Sequence, residues 1–231
     1  MNVFTRLPSV IALDVTRKVG TTDIGGTKIS ESTVRRLSLY LRLLQEVDAL
    51  GQATISSDDL AERSGTTSAQ VRKDLSVFGS FGKRGLGYLV GDLLHQLEQI
   101  LGLDRTWKVA LVGAGKIGSA LISYRNFQER GFRIEAVFDS DPGKVGRKWG
   151  SRTILDDAQM DRVLAEDRIE IAIVAVPGEA AQDVVDRIVR TGVKAILNFA
   201  PVRLRVPEGV ALRNVDMVVE LEGLAYALTS R

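Results

Sequence analysis

The chain has 231 residues, 45% hydrophobic and 26% charged, with a net charge of +2, the profile of an ordinary globular protein with one large domain or two small ones. It has no cysteine and one histidine, His95, which excludes disulfides, thiol redox chemistry, cysteine-ligated metals and histidine-rich metal sites. No apolar run approaches the roughly 18 residues of a membrane span, and no secretion signal is recognisable, so a cytoplasmic protein with neither membrane partner nor metal is expected.

Residues 1–29 lack clear periodicity and read as a mobile extension, partly helical from Val10 to Val19. From Ser30 apolar residues recur at spacings of three and four: Val34, Leu37, Leu41, Leu44 and Val47 form one buried helix face, with Arg35, Arg36 and Arg42 off the stripe. Gly51 ends this helix and Ile55 is a short strand. Ser56-Ser-Asp-Asp59 caps a second helix that stops at Gly65. Thr67-Ser-Ala-Gln70 has the form of a capping box, in which Thr67 caps a third helix and Gln70 reaches back. That helix runs to about Phe78 and buries Val71, Leu75 and Phe78.

Three helices of this order, the last pair joined by a glycine turn, read as a helix-turn-helix with the third helix in the recognition position. The stretch Gly79 to Tyr88, rich in glycine and carrying Lys83 and Arg84, reads as a hairpin wing. Between Val71 and Tyr88 four basic residues (Arg72, Lys73, Lys83, Arg84) face one acid, Asp74, a local charge of +3 that would attract phosphates. Arg72 and Lys73 are placed to enter the major groove, where a basic side chain on guanine is the commonest direct readout. Arg84, at the tip of a thin loop, suits a narrow minor groove. The same three helices could instead serve dimerisation or peptide docking. The expected head spans 30–89. An amphipathic linker helix, 90–105, follows and carries His95, for which a packing or surface role is expected.

The second module, 106–216, alternates strands and helices. Trp107–Val112 is an apolar strand, followed by Gly113-Ala-Gly115-Lys-Ile-Gly118, a helix over Lys116–Arg130, a strand over Ile134–Phe138, and Asp139, 21 residues after the third glycine. This is the dinucleotide-binding fingerprint in its required context. Gly113 allows the tight turn, Gly115 the approach of a pyrophosphate, and Gly118 close packing of helix on strand; Ala114, Lys116 and Ile117 complete the loop. Asp139 would accept hydrogen bonds from the adenosine ribose and repel a 2′-phosphate, so NADH or NAD⁺ is expected over NADP(H). A doubly wound fold that has lost its ligand would keep the same glycines.

A strand over Thr153–Leu155, a helix near Asp156–Glu166, a strand over Ile169–Val176, a helix over Glu179–Arg190, and strands over Lys194–Leu197 and Val210–Val215 complete a Rossmann-like doubly wound parallel sheet with right-handed crossovers. Ligands bind at the carboxyl ends of such strands, which gathers Gly113–Gly118, Asp139, Val176, Pro177, Asn198, Phe199 and Ala200 around one crevice. The tail, 217–231, has Leu221, Leu224, Ala225 and Leu228 and little core left to join; a second subunit is its expected partner. The fold class is thus α/β, a winged helix-turn-helix plus a parallel sheet. A cofactor site without a substrate domain, fused to a DNA-reading head, has the layout of a sensor.

The chain resembles the Rex redox-sensing transcriptional repressors over about Lys28 to Tyr226. The most specific stretch is Gln70 to Tyr88, supported by Leu39–Arg42, Gly113–Gly118, Val176–Gln182 and Leu197–Pro201. The resemblance implies a homodimer that exchanges C-terminal helices, binds a palindromic operator through residues including Gln70, Arg72, Lys73, Ser76, Lys83, Arg84, Gly85 and Tyr88, and is released when NADH binds. It also implies that Asn198–Ala200 line the nicotinamide, and that Tyr124 and Asp216 lie near the subunit contact with Arg42 as an alternative partner of Asp216. Two features depart from the family: the N-terminal extension, and Met217 where an aromatic residue is expected. The rivals are an enzyme (a small dehydrogenase or a ligase-type CoA-binding subunit) and a nucleotide-stabilised dimerisation protein with a vestigial head.

Overall fold

The structure, a computed structural model, describes residues 22–24, 27–83, 85–150 and 152–229. The helical stretch expected within 1–21 lies outside the described residues. Residues expected to lack regular structure pair as a short antiparallel hairpin, β1 (Thr22–Ile24) with β2 (Thr27–Ile29), and Ile29 is buried.

The head is built from α1 (Glu31–Ala49), β3 (Thr54–Ile55), α2 (Ser57–Ser64), α3 (Ser68–Ser76) and the wing strands β4 (Gly82–Lys83) and β5 (Gly87–Leu89). Each helix start follows from a polar cap that takes up a free amide. Ser30 accepts from Thr33 N, Ser56 and Asp59 form a reciprocal capping box, and Thr67 accepts from Gln70 N. Gly65 ends α2 in the left-handed region, at φ 66°, a conformation that costs glycine least. β5 pairs with both β3 and β4 in a three-stranded antiparallel sheet, so the wing is anchored to the strand between α1 and α2.

α4 (Val90–Ile100) was expected to be a linker. It buries Val90, Leu93 and Leu97 in the same cluster as Leu37, Tyr40 and Leu44 of α1, and so completes the core of the head. Periodicity shows that a helix has an apolar face but not which neighbour covers it. His95 is exposed, its ring beside Gln99.

The second module follows as β6 (Trp107–Val112), α5 (Lys116–Ile122), α6 (Asn126–Glu129), β7 (Phe132–Asp139), β8 (Lys148–Trp149), β9 (Arg152–Asp156), a 3₁₀ turn, α7 (Met160–Glu166), β10 (Ile171–Val174), α8 (Gly178–Arg190), β11 (Ala195–Asn198), β12 (Ala211–Asn214) and α9 (Met217–Thr229). The sheet order is β12-β11-β10-β6-β7-β9-β8, with β8 the antiparallel edge. Numbered by their occurrence, the six parallel strands stand 3-2-1-4-5-6, and the order reverses between β6 and β10, where a crevice opens. Along β6 the side chains alternate between two cores: Ala110 and Val112 face α7 and α8, while Val109 and Leu111 face the other side.

The single helix expected over Lys116–Arg130 is two. Ser123 closes α5, its hydroxyl donating to Ser119 O at 3.2 Å. Tyr124 and Phe127 then meet edge to face with ring centroids 5.1 Å apart. The short α5–α6 segment leaves a cavity of about 370 Å³ on this side of the sheet, bounded by Phe127, Phe132, Ile134, Ile173 and Tyr124 of the second module and by Arg42 of α1. α9 has no buried residue; Val218, Leu221, Leu224 and Leu228 are each more than 60% exposed.

Candidate nucleotide crevice and DNA-binding face

Two glycines of the loop are required by backbone crowding. Gly113 sits at φ 102°, and a Cβ there would stand 2.4 Å from Ala175 O, where the chain leaves β10. A Cβ on Gly118 would stand 2.1 Å from Gly113 O, so only glycine lets α5 lie this close to the turn. Gly115 differs: nothing stands within 4 Å of its missing Cβ. It precedes α5 without any side-chain cap, leaving the first helical amides free on the open side of the loop.

This open side faces a cavity of about 680 Å³ that brings together Gly113, Gly115, Lys116, Ile117, Asp139, Val176 and Pro177, within the usual range for a cofactor site. Of the other expected residues, Ala114 and Gly118 are buried beneath the loop. Asn198, Phe199 and Ala200 do not line this cavity. Asn198 is fully buried and saturated: its amide donates to Ala200 O and Asn214 Oδ1, and its Oδ1 accepts from Ala200 N. It ties the end of β11 to the following loop and to β12. The crevice also includes Ser140, Asp141 and Lys144, which sequence reasoning treated only as a loop. The two acids flanking one serine at a strand end were the available signal.

Asp139 is turned inward. Its Oδ2 accepts from Ala114 N at 2.7 Å and Lys144 Nζ at 3.0 Å, and its Oδ1 from Asp141 N at 2.9 Å. Burial pushes its pKa up, but these three donors outweigh that and hold the carboxyl below its ordinary value.

In the head, α3 carries Arg72, Lys73 and Ser76 on its exposed side. Arg72 donates from Nη1 to Ser57 Oγ at 2.9 Å, which leans it toward the start of α2. Between α2, α3 and the wing runs a groove of about 660 Å³, floored by Leu75 and Tyr88 and rimmed by Arg72, Ser76 and Gly85. Tyr88 is 7% exposed; burial raises its pKa against the opposing pull of Arg72. Gly87 is obligatory, since at φ 82° its Cβ would meet Ile55 O at 2.4 Å. Lys83 contributes backbone to β4, and Arg84 lies outside the described residues.

Two readings of the head need correction. Gln70 does not reach back to complete a capping box. Its side chain turns along the helix instead, with Nε2 donating to the buried Asp74 Oδ1 at 2.8 Å, a charge-assisted bond. Asp74 itself does not dilute the basic face: it is 2% exposed and bound by Arg36 and Tyr40 of α1. Neither the depth of Asp74 nor the burial of Tyr40 was apparent from the helical stripe.

Arg42 is exposed on α1 and Tyr124 is 52% exposed; both border the apolar cavity beside the sheet. Asp216 caps α9, accepting from Val218 N at 2.9 Å. Met217 opens that helix, 63% exposed.

Residues 28–76 match a family described as "Putative DNA-binding protein N-terminus", and residues 104–202 one described as a CoA binding domain. The redox-sensing transcriptional repressor Rex of Carboxydothermus hydrogenoformans is 51% identical over 87% of this chain and 97% of its own length. Two solved structures of RSP, a Rex-family repressor, share the whole architecture. Its complex with β-NAD⁺ and operator DNA superposes with a TM-score of 0.85 at 39% identity, covering 88% of this chain and 94% of that one. Its complex with β-NADH gives 0.81 at 37% identity, covering 88% and 96%. With a winged head, a switch-point crevice and relatives this similar over nearly their full length, the chain belongs to the Rex family of redox-sensing transcriptional repressors.

Proposed function

We propose that the protein is a dimeric repressor that holds a palindromic operator through two winged heads and is released when NADH fills the crevice of the second module. The observation that carries this is the joint presence, on one chain, of a glycine loop open only at Gly115 and a groove rimmed by Arg72 and the wing. The pyrophosphate is assigned to the free amides after Gly115, the adenosine end to the corner at Asp139–Lys144, and the nicotinamide to the side of Val176 and Pro177. The protein acts in the cytoplasm, and it binds the nucleotide without turning it over: the ligand shifts a conformational balance. Moving that balance from 1:99 to 99:1 takes about 5.5 kcal/mol of differential affinity.

Dimerisation is assigned to α9. Each protomer's exposed apolar helix seats in the other's cavity between α1 and the sheet, an isologous exchange with twofold symmetry. Arg42, Tyr124 and Asp216 would then meet across that contact, where a change of partner can transmit the nucleotide signal to the heads.

The deciding experiment titrates operator affinity without nucleotide, with NAD⁺ and with NADH. Weakening by NADH alone is the expected result, and equal affinity in all three conditions would end the reading. The match of residues 104–202 to a CoA-binding family favours a second ligand. Release of the operator by CoA at concentrations where NADH has no effect would decide for it.

A further inference from the structure

The corner that would receive the adenosine ribose holds two carboxylates and one ammonium, and they are not equivalent. Asp139 is 8% exposed, and its two oxygens already take three hydrogen bonds, one of them from Lys144 Nζ. A carboxylate offers about four acceptor sites, so little capacity is left, and the ammonium at 3.0 Å cancels its charge. Asp141 stands two residues on, its side chain 52% exposed and on the crevice wall. Its Oδ1 takes Gly143 N at 2.8 Å. Its Oδ2 lies 3.8 Å from Lys144 Nζ, beyond hydrogen-bonding reach. One negative charge is therefore left over at this corner, and it meets the crevice at Asp141.

We propose that Asp141 is the residue that discriminates NADH from its 2′-phosphorylated counterpart, while Asp139 is a positioning residue that holds the glycine loop and the Ser140–Lys144 turn in register. A 2′-hydroxyl can donate to the free oxygen of Asp141. A 2′-phosphate cannot, and near neutral pH it brings up to two negative charges against an acid whose charge Lys144, held on Asp139 and 3.8 Å away, offsets only in part. Asp139 offers no comparable repulsion. Removing it would instead release Ala114 N and Lys144, on which the shape of the whole corner depends.

The inference rests on the dinucleotide reading proposed above. The test measures the dissociation constants of NADH and NADPH by calorimetry for the full chain and for two variants. Asp141→Asn keeps the bond from Gly143 N and the side-chain volume while removing the charge. The ratio of the NADPH to the NADH constant is expected to fall at least about tenfold, equivalent to about 1.4 kcal/mol. Asp139→Asn is expected to weaken both nucleotides together, and to change the ratio less than Asp141→Asn does, through the Lys144 ammonium that it frees to face Asp141. A ratio in Asp141→Asn within about twofold of the parent, or a shift of the ratio by Asp139→Asn alone, overturns the assignment. If the parent chain binds neither nucleotide, the dinucleotide reading falls and this assignment falls with it.

Discussion

Arg36 forks onto Asp74: Nε donates to Oδ2 at 2.6 Å and Nη2 to Oδ1 at 2.7 Å. The pair joins α1 to the recognition helix, and Tyr40 Oη and Gln70 Nε2 fill the remaining acceptor sites of the carboxylate. α3 has only nine residues, too few for stability in isolation, so its placement over the groove depends on such ties as well as on Val71 and Leu75.

Asp74→Ala would leave Arg36 with no carboxylate partner in a half-buried site. Breaking a buried pair from one side costs about 3 kcal/mol, and denaturant unfolding should show a loss of that order. Burial raises the Asp74 pKa, but Arg36, Gln70 and Tyr40 bring it below its ordinary value. The contribution is therefore complete above the unfolded value, about 3.9, and is lost as pH falls through the lower folded value. The parent should lose stability on acidification by a component that Asp74→Asn lacks. Identical acid limbs for the two proteins would refute the account.

Arg72 and Lys73 are adjacent but differently held. Arg72 is drawn to Ser57 at the start of α2, an element that crosses the phosphate backbone in helix-turn-helix complexes. Lys73 is exposed on the outer side of α3. Arg72→Ala should weaken operator and random duplex alike and lower the salt slope by about one. Lys73→Ala should cost about 1–3 kcal/mol on the operator and relax base choice. Binding isotherms on both duplexes at several salt concentrations separate the two, and the reverse pattern would exchange their roles.

Features set by neighbours in sequence were legible; those set by distant partners were not. The turn after Val112, the spacing of three glycines and the acid 21 residues on are local, and so were the caps at Ser56 and Thr67. Tyr40 and Asp74 meet across 34 residues, and no periodicity reveals that pairing. Asn198 stands at a strand end, as a ligand-facing residue would, yet its amide is consumed by Ala200 and Asn214. α5 ends before Ser123 and a separate short helix follows, a break the apolar pattern through Phe127 does not encode. Lys144 shows its role only once the turn folds it back onto Asp139.

Two of the loop glycines, Gly118 and Gly115, should fail in different ways. Gly118→Ala forces a methyl against Gly113 O, and backbone must move; overpacking of this kind costs about 1–3 kcal/mol, so thermal stability should fall before any ligand is added. Gly115→Ala sits in ordinary extended backbone, φ −84° and ψ −163°, with open space around it. Its stability should stay within about 0.5 kcal/mol of the parent, while NADH affinity drops at least about tenfold because the methyl occupies the approach of the pyrophosphate. Undiminished NADH binding by Gly115→Ala would move the ligand away from this loop.

α9 is a 13-residue helix with no buried side chain in the single chain. A helix of that length is marginal by itself in water, and a contiguous apolar surface of this kind marks an interface. Its N-terminal cap, Asp216, belongs to the segment that leaves the sheet, so a truncation ending at Asp216 should preserve the second module and expose the cavity bounded by Phe127, Phe132 and Ile134. Analytical ultracentrifugation is expected to give a dimer for the full chain and a monomer for the truncation. The truncated protein should still bind a single half-site weakly. It should lose the added affinity of a two-half-site operator, because two heads that share no interface bind independently. A truncated protein that sediments as a dimer and keeps full operator affinity would show that the subunits are held together elsewhere.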